Sequence, residues 1–331
     1  MRPKDLARAL GLDRAELERI CARYPARISS HVLAGLGEPG GPLWRQFVPD
    51  SVELEDSGEE DPLREEAGSP VPGLIHRYPD RVLFCVSNEC AVYCRHCMRK
   101  RKVGRPFVAT EGSRDRAVRY IAASPGLREV VLSGGDPLML APDRLLGLLE
   151  RLRGIAHVEV LRIHTRVPCA APERITPDLA AALSRFAPLF LNIQANHFTE
   201  LTPEAGAALS LLADSGIPLG SQTVLLRGVN DDSRILARLF TTLLRHRVRP
   251  YYLHSLDRVR GAAHFAVPLS RGLRIMEQLR GGISGMAVPR FMVDLPGGGG
   301  KMDLLPQGIV GRRGSVWLIR DYRGRVVEVR E

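Results

Sequence analysis

From Arg81 to His254 the chain alternates between two periodicities. Short apolar runs at 82–87, 129–133, 158–164, 189–194, 218–225 and 248–254 have the length of strands. The segments between them, near 112–124, 142–153, 176–185, 202–214 and 231–245, read as helices. A strand followed by a helix at this pitch argues a parallel sheet with covering helices, because a parallel pair needs a crossover of a dozen or more residues. Six such units predict an α/β barrel or partial barrel, in which chemistry sits at the C-terminal ends of the strands. The unusual residues fall at those ends. A cysteine-rich loop follows the first strand, Ser133-Gly134-Gly135-Asp136-Pro137 the second, His164-Thr165-Arg166 the third, Asn196-His197 the fourth, and His254 with Asp257 the sixth.

The flanks read differently. Leu6, Leu10, Leu17 and Ile20 recur at helical spacing in residues 1–50, and Gly and Pro around 38–42 interrupt the pattern. Residues 53–66 are acidic and poor in aromatics, which predicts an exposed linker. After a helix near 270–281, Phe291-Met292-Val293-Asp294 reads as a further strand. The alternation in 315–329 predicts a β-hairpin with Gly324 in or next to its turn.

The cysteine loop is Cys90-Ala91-Val92-Tyr93-Cys94-Arg95-His96-Cys97, spaced C-x3-C-x2-C. Thiolates this dense hold a soft metal centre. A structural zinc site needs four ligands, usually as two C-x2-C type pairs, and the fourth thiolate is missing nearby. Three thiolates on a [4Fe–4S] cluster leave one iron open to an outside ligand. Cys85 reads as strand packing, and Cys21 and Cys169 have no role in the pattern. With no signal-peptide core and no apolar run of membrane-spanning length, a cytoplasmic protein is expected, where reducing conditions suit thiolate–metal chemistry.

The net charge of +10 invites a nucleic-acid partner. The basic residues are scattered arginines without an aromatic-rich RNA-binding motif, so nucleic acid is not expected, and neither is a membrane. Lysine occurs only at Lys4, Lys100, Lys102 and Lys301. Lys301 follows Gly297-Gly298-Gly299-Gly300 and precedes Met302, which does not fit a phosphate-binding Walker loop. An amine on such a loop can form a Schiff base with an aldehyde cofactor. Gly134 and Gly135 can expose backbone amides to a ligand. Asp257 and Asp294 lie past or at the ends of strands, where they can bind a cation or serve as caps or ion-pair partners. Arg99, two residues beyond Cys97, can bind a carboxylate bidentately or face solvent.

The three-cysteine loop resembles the radical S-adenosylmethionine superfamily. Further motifs resemble its lysine 2,3-aminomutase family: Ser69 to Gly73, His76 to Arg81, Tyr93 to Cys97, Ser133 to Leu138, Ser221 to Asn230, and Pro296 to Lys301. The resemblance covers about residues 20–310. It implies a partial (β/α)6 TIM-like barrel, residues 69–285, after a helical N-terminal extension and acidic linker, 1–68. A pyridoxal-lysine loop and C-terminal hairpin, 286–331, complete the chain. It also implies three cofactors: a [4Fe–4S] cluster, S-adenosylmethionine and pyridoxal 5'-phosphate.

By position, Cys90, Cys94 and Cys97 match the cluster ligands, and Gly134, Gly135 and Asp136 fall in the S-adenosylmethionine amino-group motif, with Gln222 also on the cofactor side. Lys301 matches the Schiff-base lysine, and Arg77, Tyr78 and Arg81 the region contacting pyridoxal phosphate. Arg99 matches the substrate-carboxylate arginine, and Asp257 and Asp294 the aspartates that hold a distal ammonium.

The implied activity is conversion of L-lysine to β-lysine by an isomerase that needs an external electron donor and acts as a homo-oligomer on a small amino acid. Alternatives are another cationic amino acid, β-lysine supply for elongation factor P, or an iron–sulfur RNA-modifying protein. Tyr251 to Asp257 with Gly261 to Phe265 resembles the elongation factor P branch. The glycine loop with Asp294 resembles the free-lysine branch, in which a phenol stands where this chain has His254.

Overall fold

The computed structural model describes residues 3–56, 58–105, 110–304, 308–321 and 323–330. Four short helices open the chain: α1 (Pro3–Leu10), α2 (Arg14–Arg23), α3 (Ser30–Ala34) and α4 (Pro42–Phe47). A nine-stranded sheet follows in strict sequence order. Its strands are β1 (Leu74–Tyr78), β2 (Arg81–Ser87), β3 (Glu129–Gly134), β4 (Val160–Thr165), β5 (Leu189–Gln194), β6 (Leu219–Val224), β7 (Val248–His254), β8 (Arg290–Leu295) and β9 (Gly300–Asp303). Every neighbouring pair from β2 to β8 is parallel. The segment expected as a further strand is β8, and it extends the parallel run past the six expected units. β1 and β9 run antiparallel at the two edges.

Seven helices complete the barrel: α5 (Glu111–Ala122), α6 (Pro142–Arg153), α7 (Val167–Ala170), α8 (Pro177–Ser184), α9 (Pro203–Asp214), α10 (Ser233–Arg245) and α11 (Leu269–Leu279). Thr176 and Thr202 cap α8 and α9, each followed by a proline whose fixed φ suits the first helical position. Alternate strand residues such as Phe84, Leu132, Ile163 and Ile193 join Leu149, Leu183, Leu209 and Leu239 of the helices in one buried core. The other alternate set faces the barrel interior, as the two-residue period of a strand requires. No helix among the described residues is long and apolar enough to cross a membrane.

The barrel is an open sheet whose edges nonetheless meet. The Lys301 N–H on β9 donates to the Tyr78 hydroxyl on β1 at 2.8 Å. Beyond β9 lies a small antiparallel sheet of β10 (Ile309–Arg313), β11 (Val316–Arg320) and β12 (Val326–Arg330). The expected hairpin is β11 with β12. The third strand was missed because Gly311 and the adjacent Arg312 and Arg313 hide its alternation. Tyr322, in the expected turn, lies outside the described residues.

The acidic segment 53–66 is not an exposed linker. Glu53 and Glu65 are buried, and the segment is a strap laid along the basic tail of the cysteine loop. Glu53 meets Arg95 and Lys100, each at 2.7 Å. Asp61 meets Arg101 at 3.0 Å and Glu65 meets Arg99 at 2.5 Å. Burial opposes the charge on Glu53, but Arg95 and then Lys100 outweigh it and hold its pKa below the ordinary value. The N-terminal helices complete the support: Leu6, Leu17 and Phe47 share a cluster with Ala91 and Val92 of the loop.

Replacing Glu53 by Gln leaves two buried cations without a counter-charge, which costs about 3–5 kcal/mol in denaturant unfolding. In the native protein this contribution is full above the unfolded carboxylate pKa of about 4.3 and fades as pH falls through the lower folded value.

Candidate active site

A cavity of about 780 Å³ fills the barrel interior. The inward-facing residues line it: Leu83 of β2, Val131 and Ser133 of β3, Arg162 and His164 of β4, Gln194, Gln222, Tyr252 and His254, then Met292 and Asp294 of β8. Every site residue named from the sequence also lines it: Arg77, Tyr78, Arg81, Cys90, Cys94, Cys97, Arg99, Gly134, Gly135, Asp136, Gln222, Asp257, Asp294 and Lys301. Asn196 and His197 are not among the lining residues; Asn196 instead bonds His96 and Gln46 from behind, at 3.2 and 2.9 Å.

The cysteine loop leaves β2 and is pinned against the end of β3. The N–H groups of Gly135 and Asp136 donate to Ser87 and Glu89 carbonyls at 2.6 and 2.7 Å. The two chains pass so closely that a Cβ on Gly134, at φ +118°, would lie 2.4 Å from Ser87 O. The glycines were expected to offer amides to a ligand; those of Gly135 and Asp136 hold the cysteine loop instead. The Asp136 carboxylate is likewise a brace. It accepts from Leu138 N at 3.0 Å, Thr165 Oγ1 at 2.7 Å and Arg166 N at 2.6 Å, tying the ends of β3 and β4 together.

Burial pushes all three thiols above the ordinary cysteine value, Cys97 to about 11, so ligation must supply the charge that removes their protons. Among the described residues, no three His, Cys, Asp or Glu side chains converge as a single metal ion would demand. A four-iron cube takes each thiolate on a different iron, so its ligands surround the cluster without converging on one point. Two donors beside these cysteines, His96 Nδ1 and Arg166 Nε, are buried and have no hydrogen-bond partner among the described residues. Arg166 Nη1 also reaches Cys94 Sγ at 3.2 Å. Soft donors ringed by unanswered N–H groups fit an anionic iron–sulfur cluster with a polar ligand on it.

Lys301 and the aspartates form a second group. Lys301 Nζ lies 2.5 Å from Asp294 Oδ2, and His254 Nδ1 lies 3.7 Å from the same oxygen. Burial would raise the pKa of Asp294, but His254 and Lys301 outweigh it and hold the carboxyl well below the usual range. Asp257 goes the other way: burial, then the charge of Asp294, raise it to about 7. Two carboxylates in one cavity thus have separated protonation behaviour.

The third group is a basic floor at the N-terminal ends of the strands. Arg81, Arg162 and Arg290 line the cavity there with Arg77. Arg81 stacks 3.9 Å above the Tyr78 ring, and Arg77 Nη2 donates to Leu63 O at 2.6 Å. Arg162 pairs with Glu129, while its buried Nε and the buried Asp303 Oδ1 lack partners among the described residues. Arginine forks around an empty volume suit a phosphate.

Sequence reasoning passed over Glu65, Arg162, Arg290 and the role of Arg166. Arg162 and Arg290 were hidden because β-strand arginines look like edge residues until the barrel turns them inward. Glu65 had a signal: it lies near the end of an acidic segment, 53–66, in a chain that also carries the uninterrupted basic run at 99–102.

Comparison with known proteins gives two family matches. Residues 276–331 match the model described as lysine-2,3-aminomutase, and residues 84–240 that of the radical SAM superfamily. An L-lysine 2,3-aminomutase of Fusobacterium nucleatum is 45% identical over 88% of this chain and 69% of its own length. One from Acetoanaerobium sticklandii is 45% identical over 88% and 71%. A glutamate 2,3-aminomutase of Clostridioides difficile is 40% identical over 88% and 69%.

Replacing Asp136 by Asn sets an amide N–H₂ against donors that need acceptors. We expect a loss of about 1–3 kcal/mol in thermal or denaturant unfolding, measured before any cofactor is loaded.

Proposed function

Because the chain belongs to the lysine 2,3-aminomutase family of radical S-adenosylmethionine enzymes, we propose that it converts L-lysine to β-lysine by moving the amino group from C2 to C3. The observation that carries the substrate choice is the ion pair between Lys301 Nζ and Asp294. Asp294 already accommodates a primary ammonium. With the Lys301 amine held by the cofactor, Asp294 would lose that cation, and the distal ammonium of lysine would be a like-for-like replacement. Asp257 supplies a second carboxylate beside it. A glutamate side chain would bring a negative charge to the same place, so the glutamate reading suggested by one relative is disfavoured.

When bound, the reduced cluster with S-adenosylmethionine supplies a carbon-centred radical, and pyridoxal phosphate supplies a π-system able to hold the unpaired electron while nitrogen moves. Cys90, Cys94 and Cys97 would hold the cluster. The turn at Gly134 and Gly135, whose second amide is engaged, would meet the ammonium of S-adenosylmethionine with acceptors, and Gln222 lies on the same wall. Arg77 and Arg81, joined by Arg162 and Arg290, would hold the phosphate, with Tyr78 fixing the backbone of Lys301. Arg99 would take the α-carboxylate. Holding both substrate ends fixes the carbon that reacts, which is worth more than contact energy alone. The strap and the Lys301 loop are joined where Gly297 N–H donates to Pro62 O at 3.0 Å.

The test is an anaerobic assay of reconstituted protein with L-lysine, S-adenosylmethionine and a chemical reductant. β-Lysine is the expected product, and its absence alongside product from another amino acid overturns the substrate choice. Lys301→Ala should remove the visible absorbance of the bound pyridoxal cofactor while leaving the iron content unchanged.

The rising limb of kcat/KM for lysine should have a pKa of about 7, because Asp257 must lose its proton to meet the ammonium. Asp257→Asn should flatten that limb. A pH profile identical in the variant would assign the limb to another group.

A further inference from the structure

Arg99 is gripped from one side only. Glu65 accepts from its Nε at 3.0 and 3.1 Å and from its Nη2 at 2.5 Å. Among the described residues the Nη1 group meets only Ser133 Oγ, at a long 3.5 Å. A guanidinium is a rigid planar fork with two edges that can each receive a carboxylate. Glu65 occupies the Nε/Nη2 edge. Among the described residues no carboxylate lies on the Nη1/Nη2 edge, and Arg99, Ser133 and Glu65 all line the cavity.

Glu65 is itself held in place. Its backbone N–H and that of Glu66 donate to the Asp61 carboxylate, both at 3.1 Å. Its carbonyl accepts from Ser69 Oγ at 2.8 Å. Two residues earlier, Leu63 O is tied to Arg77. Burial works against the charge of Glu65, and Arg99 outweighs it, followed by the more distant Lys102 and Arg101. Burial likewise works against the charge of Arg99, and Glu65 outweighs that.

Two effects compete when a carboxylate sits beside an arginine that must bind another carboxylate. The Glu65 charge weakens the pull of Arg99 on an incoming anion. Against this, a buried guanidinium needs a counter-charge before substrate arrives, and a long side chain left unclamped must give up rotamer freedom on binding. Arg101 and Lys102 lie along the same strap and offset part of the Glu65 charge. Orientation is therefore retained at limited electrostatic cost.

The geometry points to Glu65 as the positioning residue for the substrate's α-carboxylate: by clamping one edge of Arg99 it presents the other edge, fixed and planar, to the cavity. A fixed bidentate edge selects a group with two charged oxygens in one plane. It discriminates an α-carboxylate from an α-carboxamide of the same size. This assignment rests on reading the chain as an amino acid aminomutase with Arg99 on the carboxylate.

The experiment measures equilibrium binding of L-lysine and of L-lysinamide to the cofactor-loaded protein, anaerobically and without reductant, by titration calorimetry. Wild type should prefer lysine. Glu65→Gln should weaken lysine binding by roughly tenfold to a hundredfold, the range for a charge-assisted hydrogen bond, and change lysinamide binding by about twofold or less. In an Arg99→Ala background the Glu65 substitution should have no further effect on lysine. Equal weakening of both ligands, unchanged lysine affinity, or additive losses in the double variant would each overturn the positioning role. Wild type that binds neither ligand would overturn the aminomutase reading itself, a result distinct from these. If Glu65→Gln does not fold, Glu65→Asp, which withdraws the carboxylate by one methylene, is judged by the same criteria.

Discussion

The buried pairing of Glu53 with Arg95 and Lys100 is the constraint on which the site depends. Arg95 lies between Cys94 and His96, so wherever its guanidinium is fixed the cysteine loop is fixed too. That guanidinium is fully committed: it also donates to Pro25 O at 2.9 Å and Tyr24 O at 3.3 Å. Lys100 reaches the Gly261 carbonyl at 2.7 Å, which carries the constraint to the loop after β7 that bears Asp257. One buried carboxylate thus couples the thiolates to the far wall of the cavity. Solvent-facing pairs such as Arg128 with Glu159 contribute little by comparison, because water screens them. The excess of arginine matters structurally at these few buried forks, and not as a basic surface.

The same strap continues the coupling. Asp56 accepts from the N–H groups of Gly261, Ala262 and Ala263 at 2.9, 3.1 and 3.0 Å. Pro62 and Leu63 carbonyls receive Gly297 and Arg77. The segment therefore touches four pieces that hold site residues: the cysteine loop tail, the loop after β7, the glycine loop before Lys301, and β1. An open sheet has no covalent or ladder closure to fix its edges relative to each other. Here the Tyr78 hydroxyl and this strap perform that task, and both edges carry residues proposed to hold the pyridoxal cofactor.

Most of the barrel was legible because its strands are short apolar runs and its helices are capped and amphipathic; tertiary context did not need to override either signal. Residues that line the cavity were legible where their type is unusual for their position, as at the three cysteines, the lone Lys301, and the paired aspartates. Legibility failed where function depends on pairing across long sequence separation. Residues 53–66 carry the composition of a solvated linker, and only the basic run at 95–102 turns that composition into a buried strap. Arg162 and Arg290 failed for a related reason: a strand position shows which face a residue occupies, but not that the inward face of this barrel is a polar cavity. The glycines at 134 and 135 line the cavity, but the partner of the Gly135 amide is the cysteine loop itself, which their spacing alone does not reveal.

The opposite behaviour of Asp257 and Asp294 follows from their neighbours and not from their depth alone. Asp294 stands between His254 and Lys301, so a cation or donor flanks it on both sides. Asp257 gains the repulsion of Asp294 and has Lys301 and Arg99 only as weaker opposing influences. An incoming ammonium placed between the two would remove the repulsion and supply Asp257 with the counter-charge it lacks. The cavity is therefore short of one positive charge beside Asp257, while among the described residues the Nη1/Nη2 edge of Arg99 has no carboxylate on it. A zwitterionic amino acid with a second, distal ammonium answers both deficits at once. A neutral side chain answers one, and an acidic side chain worsens the other, which makes charge balance in the cavity the physical basis of the proposed substrate choice.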